Sequence, residues 1–339
     1  MHILMRNLRA QNQRCSTVDA GLQGMIAGMQ KTASLSSVMG VALVSVAAML
    51  WGTTGTAQSL GAQGLAPYWV GAAQLAVAGV FFAVLLAATG GGVTLPRPRA
   101  LGLPAHWFWL ASAGIAGYSI SFYAGVKLAG IGVGTAVAIG SAPIWAGLIQ
   151  AVLLRQSLSL LWWLGTAVSV AGGVAMVLAK GGGAASVSVP GLLLCLLAGL
   201  SYASYALVNK RLVGKAPVRL VNLYVFSGAA VLAAPAALVL AGVPQFTLSS
   251  LVVVVYLGLV VSGLAYVLFS SGLRHISGPT GVTLTLIEPV AAFLLAVWMV
   301  GEHQGLAAWL GLLTVLAGIL VVIGAEVRGQ RRPEQALPA

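Results

Sequence analysis

Ten stretches of about twenty apolar residues, separated by short connectors, occupy nearly all of this chain between positions 39 and 325. They run over 39–60, 67–89, 107–128, 133–154, 160–179, 190–209, 221–241, 250–272, 279–300 and 306–325. A bilayer core about 30 Å thick is crossed by roughly 20 helical residues. In hydrocarbon a lone apolar segment must pair its backbone groups internally, which an α-helix does and an isolated strand does not. Hydrophobic residues make up 59% of the chain and charged residues 6%, whereas a soluble domain carries about 25% charged residues. So few charges could not cover the surface of a water-soluble fold of 339 residues. The fold class expected is therefore an all-α polytopic membrane protein with ten transmembrane helices.

Charge placement sets the orientation. The net charge is +12, but no element carries a basic face, so nucleic acid is not the expected partner. With the N-terminus inside, the inner connectors and tails hold Arg6, Arg9, Arg14, Lys31, Arg97, Arg99, Arg155, Lys210, Arg211, Lys215, Arg219, Arg274, Arg328, Arg331 and Arg332. The outer connectors hold only Lys127 and Lys180. Such a bias follows the positive-inside rule and predicts a multi-pass protein of the cell inner (plasma) membrane with both termini cytoplasmic. Aromatic residues at the ends of runs, such as Trp69, Trp107, Trp163 and Trp309, suit the headgroup interface. Residues 1–37 hold no apolar core of a cleavable signal and are expected to form a disordered cytoplasmic tail, with Met25, Met29 and Met39 as alternative starts. Residues 327–339 are expected to form a second cytoplasmic tail. Cys15 and Cys195 offer neither a disulfide framework nor metal spacing.

The chain also repeats itself. A shift of 146 places Pro143 on Pro289, Trp163-Leu164-Gly165 on Trp309-Leu310-Gly311, and Ala171-Gly172 on Ala317-Gly318. A shift of 147 places Phe122 on Phe269 and Gly125 on Gly272. This divides the membrane part into repeats at 38–180 and 189–326, each of five helices. Five is odd, so the second repeat enters the bilayer upside down relative to the first. Two inverted five-helix repeats are a common design of secondary transporters. Gly165 with Gly172, and Gly311 with Gly318, form small-residue stripes suited to close helix packing, within the bundle or at a dimer seam. Monomer and homodimer both remain open.

Glu288 is the one acidic residue deep within a run. Placing an ionised carboxylate there costs at least ~2.5–3.5 kcal/mol, so Glu288 is expected to face a cavity or take up a proton. Proton coupling is one use for such a group, and a structural role in a helix break is another. Pro289 removes a helix hydrogen bond and kinks its helix. Pro143 is its repeat mate, preceded by Ala142 where the second half has Glu288. Both prolines are candidate hinges, with a merely tolerated helix proline as the alternative for Pro143. Trp51, Gln58, Tyr118 and Tyr205 lie at membrane depth and, with Glu288, are candidate substrate contacts. Gln74, Ser119, Tyr123, Ser201, Tyr202, Asn209 and Tyr266 are further polar or aromatic groups there, for which helix–helix hydrogen bonding is the simpler role. No GxxxxGK[ST] loop, HExxH motif or GxSxG nucleophile motif occurs, and no metal or cofactor is expected. An enzyme is not expected either.

Leu286-Ile287-Glu288-Pro289-Val290, the Gly301-Glu302 pair beyond it, Gly311 and Gly318 in the last run, and Trp51-Gly52 in the first together resemble the EamA-type transporters of the drug/metabolite transporter superfamily. The resemblance spans residues 39–325. It implies two five-helix repeats around a central cavity, alternating access, and export of amino acids or other metabolites, often against protons. It carries Glu288, Pro289 and Glu302 over as motif positions. Arg155-Gln156 after the fourth run and Gln74 in the second depart from the family pattern, where an acidic residue and an arginine respectively are common. The expected function is thus a secondary transporter of small metabolites in the lipid bilayer, exporting and proton-coupled. A passive facilitator or channel and a lipid flippase are the alternatives.

Overall fold

The computed structural model describes residues 35–61, 64–89, 102–179, 188–299 and 303–330. Glu302, residues 1–34 of the expected N-terminal tail and residues 331–339 of the C-terminal tail lie outside the described residues. Every regular element among the described residues is helical. In chain order these are α1 (35–51), α2 (Thr54–Gly61), α3 (Pro67–Ala88), α4 (Ala105–Ala129), α5 (Ile131–Leu148), α6 (Leu160–Ala179), α7 (Val189–Val213) and α8 (Val218–Ala241). There follow α9 (Leu248–Tyr256), α10 (Ala265–Gly272), α11 (Gly278–Leu284), α12 (Ile287–Met299) and α13 (Leu306–Gln330). Wide π turns extend α5 over Ile149–Leu153 and join α9 to α10 over Leu257–Leu264. The first helix starts at residue 35 and the last reaches residue 330, each a few residues beyond its apolar run, because polar residues at the end of a run still form helix.

Local chemistry explains where the helices begin and end. Pro67, Pro190 and Pro279 stand in first turns, where a missing N–H costs nothing and the fixed φ suits the helix. Ser188, Thr247 and Ser277 accept hydrogen bonds from backbone N–H groups three residues on, the usual role of an N-cap hydroxyl. Gly242 closes α8 at φ 69°, a conformation open to glycine because it lacks Cβ.

Eight helical segments among the described residues are long and apolar enough to cross a membrane: Leu35–Gln58, Pro67–Ala88, Val133–Leu153, Val189–Val213, Val218–Ala241, Leu248–Gly272, Gly278–Trp298 and Leu306–Gly329. The apolar stretch of α6, Leu160–Met176, is shorter, and α4 is more polar, with Ser112, Tyr118, Ser119, Ser121, Tyr123 and Lys127. The outward faces are as oily as the interior: Val80, Val84, Leu193, Val231, Val252 and Leu320 are each more than half exposed. A continuous apolar exterior of this kind is suited to lipid.

Helices pack through small residues. On α6 and α13, a Cβ built at Gly165 would lie 2.9 Å from the Gly318 carbonyl oxygen, and one at Gly172 would lie 2.7 Å from that of Gly311. Between these two points Ser169 Oγ lies 3.4 Å from the Val315 carbonyl oxygen. The backbones meet so closely that no side chain fits between them, the usual geometry of glycine-rich membrane crossings. One end of the bundle is also tied by polar groups. Glu326 on α13 accepts bonds from Ser277 N–H at 2.8 Å and from the hydroxyls of Ser277 and Thr280 at 2.6 Å. Lys210 Nζ donates to the Leu273 carbonyl at 2.6 Å, and the Arg211 guanidinium lies 4.4 Å from the centre of the Trp107 ring.

Candidate functional site

The site is built around an interruption in the helix that carries Glu288. Pro289 has no N–H to give the carbonyl four residues earlier, and its ring crowds that carbonyl. The carbonyl belongs to Thr285, and it is taken instead by Glu288 N–H at 2.8 Å. Thr285 N–H and Leu286 N–H likewise reach back three residues, to Val282 and Thr283. Three tight turns in succession separate α11 from α12 at Thr285–Leu286. Thr285 Oγ1 adds a bond to the Val282 carbonyl at 2.7 Å, so the broken turn is held by a side chain as well as by backbone. Glu288 therefore stands in the first turn of α12.

The opposite wall approaches this turn closely. The first segment turns at Gly52 and Thr53, between α1 and α2. A Cβ at Gly52 would lie 2.8 Å from the Glu288 carbonyl oxygen and 2.7 Å from Ala291 Cβ. Trp51, one residue earlier, is buried with its ring centre 5.0 Å from that of Tyr266, 5.3 Å from Phe269 and 6.2 Å from Tyr202. Its Nε1 donates to the Val261 carbonyl at 2.9 Å, within the π turn between α9 and α10. Wide turns of this kind displace backbone groups from their regular partners and recur at functional sites.

Tyr118 on α4 lies 5.4 Å from Tyr202 between ring centres and stacks on Phe122. Gln58 Nε2 donates to the Tyr123 hydroxyl at 3.4 Å, and the Gln74 amide also reaches that hydroxyl. Glu288 lies within electrostatic reach of the Tyr118, Tyr123, Tyr202 and Tyr266 hydroxyls. Its carboxyl receives no hydrogen bond or ion pair from a described residue, and the residue is half-buried although protein surrounds it. That combination is what a carboxyl bordering an internal space would show. Two buried polar atoms nearby, Tyr202 Oη and Gln74 Oε1, have no hydrogen-bond partner among the described residues.

Of the residues singled out from the sequence, Glu288, Trp51, Tyr118 and Gln58 converge on this centre. Tyr205 is fully buried between Tyr202 and Tyr266, with ring centres 6.1 and 5.8 Å away, and so forms the layer behind the wall. Pro289 makes the break. Pro143 is buried inside α5, which continues through it as a helix. Tyr123, Tyr202, Tyr266 and Gln74 take a larger part than their sequence context suggested. The available signal was polarity at membrane depth; their convergence depends on which faces of four helices turn inward. Among the described residues no three His, Cys, Asp or Glu side chains gather as a metal site would require.

The model of the EamA-like transporter family matches residues 38–178 and again residues 189–324. The chain is 36% identical over 297 residues to the uncharacterized transporter YwfM of Bacillus subtilis (strain 168), covering 86% of this chain and 96% of that protein. It is 26% identical over 218 residues to the uncharacterized transporter YdfC of the same organism, covering 62% of this chain and 69% of that one. A solved crystal structure superimposes with a TM-score of 0.70 at 22% identity, over 86% of this chain and 97% of that chain, a likeness of fold alone. With both matched stretches spanning nearly all of its helical part, the chain belongs to the EamA-like transporter family, and its fold is that of a multi-pass membrane protein.

Proposed function

We propose that this transporter exports small amine-bearing metabolites, amino acids or related compounds, from the cytoplasm by alternating access, with protons entering in exchange at Glu288. The observation that carries the reading is a carboxyl group without a partner among the described residues, set at a helix break and faced by tyrosine hydroxyls. Such a group can hold either a proton or a cationic substrate, which is what exchange requires. Discontinuous helices with a binding site at the break recur in secondary transporters.

The reading has the chain crossing the plasma membrane ten times as two inverted halves, 38–180 and 189–326, with both termini cytoplasmic. Two observations support it. Fifteen basic residues fall on one side of such a layout and two on the other. The α6–α13 crossing also has the form of a two-fold contact, in which each partner presents the same patch to the other. Under the shift of 146, Gly165 meets the mate of Gly172, Gly172 meets the mate of Gly165, and Ser169 meets its own mate Val315. Rocking of the halves about this crossing would open each end in turn, breaking the Glu326 contacts with Ser277 and Thr280 when the basic end opens.

The test is flux in proteoliposomes under an imposed pH gradient, with counterflow as a second readout across a metabolite panel. Gradient-driven flux lost in Glu288→Gln is the expected result. Full activity in that variant would remove the carboxylate from the mechanism. Flux indifferent to the gradient, without counterflow, would make the protein a passive facilitator.

A further inference from the structure

The chemistry around Glu288 is one-sided. The titratable side chains facing it are Tyr118 and Tyr123 from α4, Tyr202 from α7 and Tyr266 from α10. The neighbouring α1, α2, α5 and α11 contain no titratable residue, and α12 contains only Glu288 itself. The basic side chains of the described residues, among them Lys127, Arg155, Lys210, Arg274 and Arg328, stand at helix ends or in connectors. A carboxylate at this depth thus has no positive partner in the described part of the protein.

Hydrogen-bonding capacity includes one acceptor that only a donor on a ligand can satisfy. The indole donor is spent, with Trp51 Nε1 on the Val261 carbonyl, and Gln58 Nε2 gives one of its hydrogens to the Tyr123 hydroxyl. Two buried atoms nearby are left over: Gln74 Oε1, which can only accept, and Tyr202 Oη, which can accept from a ligand N–H while its own hydrogen goes to a carboxylate, on a residue only 6% exposed. An unpaired buried acceptor is costly, and a ligand N–H would satisfy it. The remaining wall is aromatic, and the faces of Trp and Tyr attract cations.

We infer that the occupant of this centre is a monocationic amine on an aromatic or apolar skeleton, without a free carboxylate. The inference rests on the transporter reading and narrows its substrate class. The ammonium group pairs with Glu288 and donates to Gln74 Oε1 and Tyr202 Oη, while the skeleton lies against Trp51, Tyr118 and Tyr266. A zwitterionic amino acid would bring a second carboxylate beside Glu288, where no basic side chain of the described residues receives it and the like charge repels it.

Three probes with the same ring and different charge separate these cases: phenethylamine, phenylalanine and phenylacetate. Equilibrium binding to the purified full chain, read by quenching of tryptophan fluorescence, should show phenethylamine bound. Phenylalanine should bind weaker by roughly tenfold or more, because its carboxylate is desolvated beside a like charge without a cation, and phenylacetate should not bind. Gln74→Ala should weaken phenethylamine severalfold. Glu288→Gln, checked for folding by its thermal transition, should abolish binding. Absent binding of phenethylamine, equal binding of phenylalanine, or any tight binding of phenylacetate overturns the inference. Gradient-driven flux of another metabolite that still depends on Glu288 would, in that event, leave the transporter reading intact and remove only the amine.

Discussion

The helix α5 and the pair α11–α12 occupy matching places in the sequence repeat and carry the same proline, yet one is continuous and the other is broken. Pro143 sits inside α5 and the helix runs on through it. Pro289 follows three tight turns that separate α11 from α12. A proline removes one hydrogen bond in either place, so proline alone does not decide the outcome. The surroundings differ. Ala142 is 2% exposed, and the α7 backbone presses on its N–H so closely that a Cβ at Gly199 would lie 3.2 Å from it. Glu288, its mate, keeps accessible surface, and the Thr285 side chain ties the turn before it to the Val282 carbonyl. The repeat supplies two similar supports, and the chemistry is laid on one of them.

Moving the carboxylate is the strongest way to break this comparison. Ala142→Glu would force a charge into a packed interface with no space and no partner. The expected loss of stability is at least ~3 kcal/mol, seen as a collapse of the thermal transition or of the yield of folded protein. Glu288→Ala removes an unpaired carboxyl from the edge of a space and should leave the thermal transition unchanged or raise it, while gradient-driven flux is lost. Equal destabilisation by both substitutions would mean that the two helices offer equivalent environments.

Restoring a backbone donor is the next largest change. Pro289→Ala returns an N–H to the chain opposite the Thr285 carbonyl and removes the clash that opens the turn. An interior helix proline costs roughly 3 kcal/mol, and part of that should reappear as added stability. Flux should fall about tenfold, a barrier increase near 1.4 kcal/mol, because Glu288 would be carried round with a regular helix. Pro143→Ala, in a helix already continuous, should change flux by less than about twofold, a difference of a few tenths of a kcal/mol. Initial rates in proteoliposomes beside thermal unfolding in detergent would separate the two. If Pro143→Ala lowered flux as far as Pro289→Ala, the hinge would be shared between the halves.

Much of this architecture was legible in the sequence, and the limits of that legibility have physical causes. Run length located the helices, because about twenty apolar residues have few other fates. Gly165, Gly172, Gly311 and Gly318 announced a close crossing, since small residues at regular spacing serve little else in a membrane helix. Glu288 drew attention because a carboxylate there is expensive. A break near Glu288 was one reading of Pro289, but which of the two prolines breaks its helix was not legible, since Pro143 carries the same signal without a break. Nor could the partner of Trp51 be foreseen. Val261 faces the indole from a π turn, and a turn of that kind leaves no periodic trace in a run of Leu, Val and Gly. Tyr202 and Tyr266 lie on different helices, and only packing brings each of them against Trp51.

The finest contrast lies in two hydroxyls. Thr285 Oγ1 donates to the Val282 carbonyl at 2.7 Å inside the broken turn, and Ser141 Oγ reaches the Ala138 carbonyl at 3.3 Å inside the intact helix. If the break is actively held, Thr285→Val, which keeps the shape and removes the donor, should cost about 1 kcal/mol, near the upper part of what side-chain hydrogen bonds contribute in membrane helices. Ser141→Ala should cost less than about 0.5 kcal/mol, because a long bond to a carbonyl already inside a regular helix adds little. Reversible unfolding in mixed micelles resolves differences of this size. A larger loss at Ser141 than at Thr285 would show that α5 depends on its hydroxyl more than the break does, and the stability of the broken turn would then be assigned to the packing of Gly52 against Glu288 and Ala291 rather than to Thr285.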